Sequence, residues 1–368
     1  MSGGAAQDRC VFYFVRHAQS TNNALGPESG PEHPGRSSDP VLTELGEAQA
    51  AAVAAHFRAQ EEALAQVPGG HAQGYRVTSV FTSAMQRALQ TAAPIAEALG
   101  GPAAVRFEVV GDIYEQGGIF DHVVAEAAAS PAAHGVAPRP DDDDDVDDDK
   151  GKGRDGGKGR DGGRDGGAGV GHGLTSAEMR ARFPSLAVPE DGQDAAFSTG
   201  PSGWYTGDGF ERMDATEARV DRMAAWLWRL AAQRVKGETR GAVLIVSHGM
   251  LLDMLFKRLL GVPPVRGAPQ PAFLLHFNTG VSVVELQPSA ALLARCAPPR
   301  EDPRGALAAG PVSPGPLAPT PRDLLDAPTP PGVVGMRSLN SWGHLPPPLR
   351  TGGTPRGLQA CYDGAGNM

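Results

Sequence analysis

The sequence predicts an α/β fold: a three-layer sandwich in which a mostly parallel sheet carries helices on both faces, with a disordered insertion and a C-terminal tail attached. Two patterns predict the sandwich. Short runs rich in β-branched and aromatic residues recur along the chain, and segments of helical period opened by capping residues alternate with them. Composition predicts the attachments. The 49 Gly and 33 Pro among 368 residues exceed a fifth of the chain, approaching the roughly 25–30% that marks low-complexity sequence.

Val11-Phe12-Tyr13-Phe14-Val15 suits a buried strand, and Val77 to Phe81, Val105 to Val110, Ala242 to Val246 and Val281 to Leu286 read likewise. Helix starts fall at Thr43 before an Ala-rich stretch, at Ser83 with Gln86 as a capping box, at Thr175 with Glu178, and at Asp214 with Glu217. In the last of these, Val220, Met223, Ala224, Leu227, Leu230 and Ala231 share one face.

After Ala125 the composition changes abruptly. Asp141 to Asp149 is Asp at eight of nine positions, and Gly151 to Gly167 is a Gly-rich basic block in which Gly-Arg-Asp-Gly-Gly recurs. Few apolar side chains and high backbone entropy leave nothing there to bury, so residues 127–171 read as a disordered insertion. A calcium-binding or polyanion-binding arm is the functional alternative. The expected organisation is one folded domain over 9–290, interrupted by that insertion, and a mostly disordered Pro/Gly/Ala-rich tail over 291–368.

The net charge of −9, from 33 basic and 42 acidic residues, argues against a general nucleic-acid binder. Cys10, Cys296 and Cys361 are odd in number and far apart, which leaves no material for a disulfide framework or a Cys-based zinc site. No apolar run reaches the ~18 residues of a membrane span, and Met1 to Cys10 lacks the regions of a signal peptide. A cytoplasmic protein without membrane contact is the expectation.

In open α/β sheets ligands bind beyond the carboxyl ends of the strands. Arg16 and His17 follow the first strand, Ser83 leads from the second into Arg87, and Ser247, His248 and Gly249 follow the fourth. Two histidines and two arginines from three strands suit a phosphate. Guanidinium forks match phosphoryl oxygens, and an imidazole is a nucleophile at neutral pH without first losing a proton. Gly249 opens a helix directly after a strand, so its N–H and the positive helix end add to the same field.

These residues also carry a family resemblance. Val15-Arg16-His17-Ala18-Gln19-Ser20-Thr21-Asn22-Asn23 resembles the signature of the histidine phosphatase superfamily, with Ala18 where the family usually has Gly. Thr82 to Ala92, with Ser83 and Arg87, is similar to the second family block, and Val246-Ser247-His248-Gly249 to the third. Leu42 to Gly46, Asn278 to Val281 and Asn340 to Leu345 echo lesser blocks.

The resemblance implies a catalytic set of His17 as nucleophile, His248, and Glu115 as the acid, with Asp112 and Asp121 as nearby competitors for that last role. It implies phosphate contacts from Arg16, Asn23, Arg87 and Gly249, no metal and no cofactor. The partner expected is a small phosphorylated substrate. Mutases of the family carry further arginines after the glutamate and soon after the first block. Here Ile113 to Val124 holds no basic residue except His122, and Ala24 to Pro34 holds no arginine. That favours hydrolysis. A phosphoglycerate mutase-type phosphotransferase, a non-catalytic phospho-ligand binding module and a metal-dependent phosphoesterase are the alternatives. Arg180 and Arg182 are candidates to reach the pocket, and Trp204 and Tyr205 to shape its lid.

Overall fold

The computed structural model describes residues 8–26, 33–68, 74–119, 173–189, 203–205, 210–236, 241–263, 265, 270–296, 325 and 330–352. The elements in chain order are β1 (Cys10–Arg16), α1 (Thr21–Ala24), α2 (Glu44–Ala65), β2 (Val77–Thr82), α3 (Gln86–Ala98), β3 (Arg106–Val109), α4 (Ser176–Arg182), α5 (Met213–Lys236), β4 (Ala242–Ser247), α6 (Gly249–Leu259), β5 (Val281–Pro288), α7 (Ala290–Arg295) and β6 (Gly332–Ser341). The expected insertion at 127–171 lies outside the described residues.

One sheet runs in the order β3-β2-β4-β1-β5-β6. β1 pairs in parallel with β4, and β2 in parallel with both β3 and β4. β5 is antiparallel to β1 and β6 is antiparallel to β5, so the sheet is mixed. The α/β architecture and the five expected strands are present, the third shortened to Arg106–Val109.

Period-2 alternation splits β1 between two cores. Val11, Tyr13 and Val15 join Val53 and Phe57 of α2 with Leu89 and Ile95 of α3. Cys10, Phe12 and Phe14 face Met223 and Leu227 of α5 and Phe256 of α6. Phe14 meets Phe256 edge to face at 5.0 Å between ring centres. Burial on both faces explains why the strand is an unbroken apolar run.

Helix starts differ in detail. Thr43 caps α2 by accepting from the Gly46 N–H at 3.0 Å, and Thr175 with Glu178 forms the expected capping box on α4. The box expected of Ser83 and Gln86 does not form. Ser83 lies in the turn after β2, where its hydroxyl accepts from the Met85 N–H at 3.2 Å, and Asp39 Oδ1 instead takes the Gln86 N–H at 3.0 Å. α5 begins at Met213, one residue before Asp214, whose carboxylate accepts from the Ala215 N–H at 3.0 Å.

Within the expected 291–368 tail, residues 291–296, 325 and 330–352 are described, and regular structure is present among them. Ala290–Arg295 is helical and Gly332–Ser341 adds the sixth strand, its ladder along β5 satisfying backbone groups that composition alone leaves unassigned. Beyond β6, Leu349 O and Thr351 Oγ1 accept from Gln49 Nε2 at 2.6 and 2.7 Å, and Thr351 O accepts from the Asn278 N–H at 2.9 Å.

The first turn of α2 lies on the backbone that follows His17. Thr43 N–H donates to Gln19 O at 3.1 Å, and the Gln19 N–H donates to Gln49 Oε1 at 2.7 Å. A Cβ on Gly46 would stand 2.1 Å from Gln19 O, a backbone atom with nowhere to move. Gly46→Ala is therefore expected to lower unfolding stability by about 1–3 kcal/mol in urea titration, with the loss carried by separation of α2 from the 17–20 turn.

Candidate active site

Parallel pairing puts the carboxyl ends of β1, β2 and β4 at one edge, and register makes them level. Arg16 stands beside Ser247, and Thr82 beside Val246. The next residue along each strand therefore enters the same space. His17 and His248 meet there with ring centres 5.1 Å apart, tilted by 53°.

The partners of His17 assign its tautomer. Nδ1 lies 2.7 Å from Ala18 O, which only accepts, so Nδ1 carries the proton. Nε2 accepts from Arg87 Nε at 3.3 Å, so its lone pair faces the guanidinium. Burial, then Arg87, then Arg16 hold the imidazole well below its ordinary pKa, against the pull of the Ala18 carbonyl. His248 is lowered in the same way, by burial first and then by Arg87, His17, Arg16 and Arg219. Neither ring nitrogen of His248 has a hydrogen-bond partner among the described residues, although both are buried.

Arg16 is buried at 2% exposure, and its Nη1 donates to His276 O at 2.8 Å. A Cβ on Gly249 would stand 3.2 Å from Arg16 Nε, so glycine there clears the guanidinium. Arg87 is weakened by burial and supported by the Asp39 and Glu115 carboxylates.

Glu115 arrives on the Gly111–Gly118 loop. Its Oε1 accepts from the Gln116 and Leu251 N–H groups at 3.0 and 3.1 Å, and Oε2 from the Met250 N–H at 3.5 Å. The first turn of α6 thus holds this carboxyl group. Asn23 and Ser20 cap α1 reciprocally, and Asn278 Nδ2 also donates to Asn23 Oδ1 at 3.3 Å. With its oxygen engaged twice, Asn23 presents Nδ2 as its donor end. The competitors separate from the cluster: Asp112 is paired with Arg222 at 2.8 Å, and Asp121 lies outside the described residues.

Arg182 reaches the rim, donating to Gln86 Oε1 at 2.8 Å, whereas Arg180 turns to Val188 O at 3.1 Å. Trp204 and Tyr205 are buried against Tyr114 at 5.3 and 5.8 Å, beside the loop that carries Glu115. Among the described residues no three His, Cys, Asp or Glu side chains cluster as metal ligands, and no helix is long and apolar enough to cross a membrane.

Sequence reasoning missed the supports. Asn278 Nδ2 donates to His17 O at 3.0 Å, and Thr91 Oγ1 accepts the Ala18 N–H at 3.0 Å. Both stand inside family-like blocks, the one signal that could have found them. Thr279 has φ +54°, a conformation unfavourable for a β-branched residue, and its N–H donates to Arg16 O at 3.0 Å.

A buried set of two imidazoles and two guanidinium groups is thus gathered at the carboxyl edge of the parallel strands of an α/β sheet. The chain belongs to the histidine phosphatase superfamily, branch 1, whose family model matches residues 12–122 and 164–297. Most of the Asp-rich and Gly-Arg-Asp stretch falls in the unmatched gap. A comparison with curated proteins finds no match.

Solved structures similar to this chain include a mycobacterial glucosyl-3-phosphoglycerate phosphatase (19% identity, 76% of this chain and 91% of that one, TM-score 0.35). Also similar are an ecdysone phosphate phosphatase from Bombix mori in complex with tungstate (14%, 75% and 89%, TM-score 0.39) and a phosphoserine phosphatase from Entamoeba histolytica in complex with 3-phosphoglyceric acid (16%, 92% and 100%, TM-score 0.36).

Asp39 supplies a pH test. Burial pushes its carboxyl up to about 6, opposed by Arg87, Gln86 and Arg182. A raised carboxyl pKa means that the folded state holds the proton more tightly than the unfolded chain does. The group is therefore neutral in its effect below about 3.8 and costs stability as pH rises through about 6. Asp39→Asn keeps an acceptor for the Gln86 N–H. Relative to the parent, it is expected to gain on the order of 2–3 kcal/mol between pH 4 and pH 7, measured by urea unfolding at each pH.

Proposed function

We propose that the protein is a metal-independent phosphomonoester hydrolase that works through a phosphohistidine on His17 and acts on a small phosphorylated metabolite. The catalytic unit assigned to this activity is 9–290, completed by the 330–352 segment that borders it. One observation carries the reading: the neutral Nε2 of His17 faces Arg87, while the two buried nitrogens of His248 stand 5.1 Å away, ring to ring, without protein partners. Buried polar groups are normally satisfied, and a phosphoryl group fits this space: its oxygens can accept from Arg87 and from the one N–H of neutral His248 while the His17 lone pair is left to meet phosphorus.

In the first step His17 Nε2 attacks phosphorus in line. The phosphorus–oxygen bond to the alcohol breaks, and Glu115 gives its proton to the departing oxygen. In the second step the Glu115 carboxylate takes a proton from water, the water oxygen attacks phosphorus, and the phosphorus–nitrogen bond breaks. Orthophosphate leaves and His17 returns neutral. Arg16, Arg87 and His248 hold the equatorial oxygens, with the Asn23 amide and the Gly249 N–H as further donors. Fixed cations thus supply the charge that magnesium supplies in kinases.

Hydrolysis is favoured over mutase chemistry because no Arg or Lys follows Glu115 before Val124. A second phosphate would have no guanidinium from that stretch to hold it.

Purified protein is expected to release phosphate from an aryl phosphate between pH 5 and 8, with EDTA in the buffer making no difference. Alkaline quench and peptide mapping at high pH are expected to find acid-labile, base-stable phosphate on His17. His17→Ala is expected to remove the label and at least about four orders of magnitude of kcat. Label on another side chain, or activity lost to EDTA, would overturn the proposal.

A further inference from the structure

The Glu115 carboxyl group has to meet the leaving oxygen, yet it sits on a loop between Gly111 and Gly118 with no strand ladder of its own. The loop is held from outside. Arg219 of α5 is fully buried, and its Nη1 donates to Asp112 O at 2.7 Å and to Tyr114 O at 2.8 Å. The carbonyl between them, Ile113 O, accepts from Ser247 Oγ at 3.0 Å. Three successive carbonyls ahead of Glu115 are therefore gripped by side chains of two other elements.

Arg219 is itself fixed. Nε and Nη2 fork onto the two oxygens of Glu211 at 2.8 and 2.5 Å, and the guanidinium lies over the Tyr114 ring with its carbon 3.7 Å from the centre. Tyr114 Oη and Thr216 Oγ1 also donate to the Glu211 carboxylate, both at 2.9 Å. Glu211 then holds the far side of the loop through its backbone. Its N–H donates to Gly117 O at 3.0 Å, and its carbonyl accepts from Gln116 Nε2 at 3.4 Å. Hydrogen bonds from this one buried pair thus reach the loop both before and after Glu115, beside those of Ser247 to Ile113 O, of Arg222 to the Asp112 carboxylate and of the first turn of α6 to the Glu115 carboxyl group itself.

We infer that the Arg219–Glu211 pair is a positioning device that holds the Glu115 loop where its carboxyl group can protonate the leaving oxygen. The inference rests on the reading of Glu115 as the proton donor. A buried pair of this kind adds little net stability compared with well-packed apolar residues, so five bonds to one short loop ask for another purpose. Positioning by a rigid second layer is that purpose, because proton transfer demands hydrogen-bond distance in the transition state.

The test is leaving-group dependence. A displaced acid harms departure of a poor leaving group and spares a good one, whereas general loosening, or loss of a cation near His248, harms both alike. Three variants are assayed for kcat/KM on phenyl phosphate and 4-nitrophenyl phosphate: Glu115→Gln, Arg219→Lys, and the double variant Arg219→Met with Glu211→Leu. The double variant removes both charges together and so avoids leaving one buried and unpaired.

Glu115→Gln is expected to lower turnover of phenyl phosphate about 100-fold or more and that of 4-nitrophenyl phosphate by far less. Both Arg219 variants are expected to show the same selective loss, about tenfold or more on phenyl phosphate and no more than about threefold on the nitro compound. If Arg219→Lys fails to fold, the double variant decides. Equal losses on both substrates, or none, in folded Arg219 variants overturn the positioning role while Glu115 stands. A uniform loss in Glu115→Gln removes the acid assignment and this inference with it.

Discussion

Everything at the carboxyl edge depends on keeping two imidazoles neutral next to two buried guanidinium groups. Arginine cannot discard its charge at any ordinary pH, so the cost of burial falls on the histidines, which can. Burial lowers the proton affinity of both rings most, and each cation they face lowers it further. The result is a buried neutral imidazole at His17 whose lone pair faces a guanidinium inside a positive field. Under the proposed function the same field would draw in the dianion, so that one arrangement would serve binding and reactivity together.

The surrounding structure is organised to hold this field still. Parallel register brings three strand ends level, and the residues behind them are fixed through backbone carbonyls. His276 O anchors Arg16, Ala18 O orients His17, and Asn278 spans His17 O and Asn23. Asp39 ties the start of α3, and with it Arg87, to a segment 47 residues earlier in the chain. The Phe and Val residues of β1 do the complementary work, since burial on both faces leaves the strand no freedom to tilt.

What the sequence discloses and what it hides follow from range. β1 and β4 are legible because burial on both faces writes a nearly unbroken apolar run, and β2, β3 and β5 because β-branched and aromatic residues recur in them; Arg16, His17 and His248 are legible because they stand at the ends of such runs, and Arg87 because it opens the helix after β2. β6 is not. It alternates between exposed and half-buried positions, includes Gly332, Gly335 and Arg337, and sits in a tail whose composition suggests no order. The Asp39 cap is hidden because its partner is remote, while nearby Ser83 offers a local box that the turn geometry does not use. Arg219 is hidden for another reason: on a helix with an apolar face, an arginine reads as a solvent-side residue, and only its approach to Glu211 and the 112–114 carbonyls explains its burial.

The place of β1 in the sheet has a bearing on how the chain is made. It precedes every other described strand, but its neighbours in the sheet are β4 and β5, so its partners emerge roughly 230 residues later, about 10–45 s at ordinary ribosomal speeds. Until then Val11-Phe12-Tyr13-Phe14-Val15 has an open edge on both sides, a segment of the kind that chaperones cover and aggregates recruit. The residue proposed to carry phosphorus is thus anchored by a strand whose sheet partners lie more than 200 residues further along the chain.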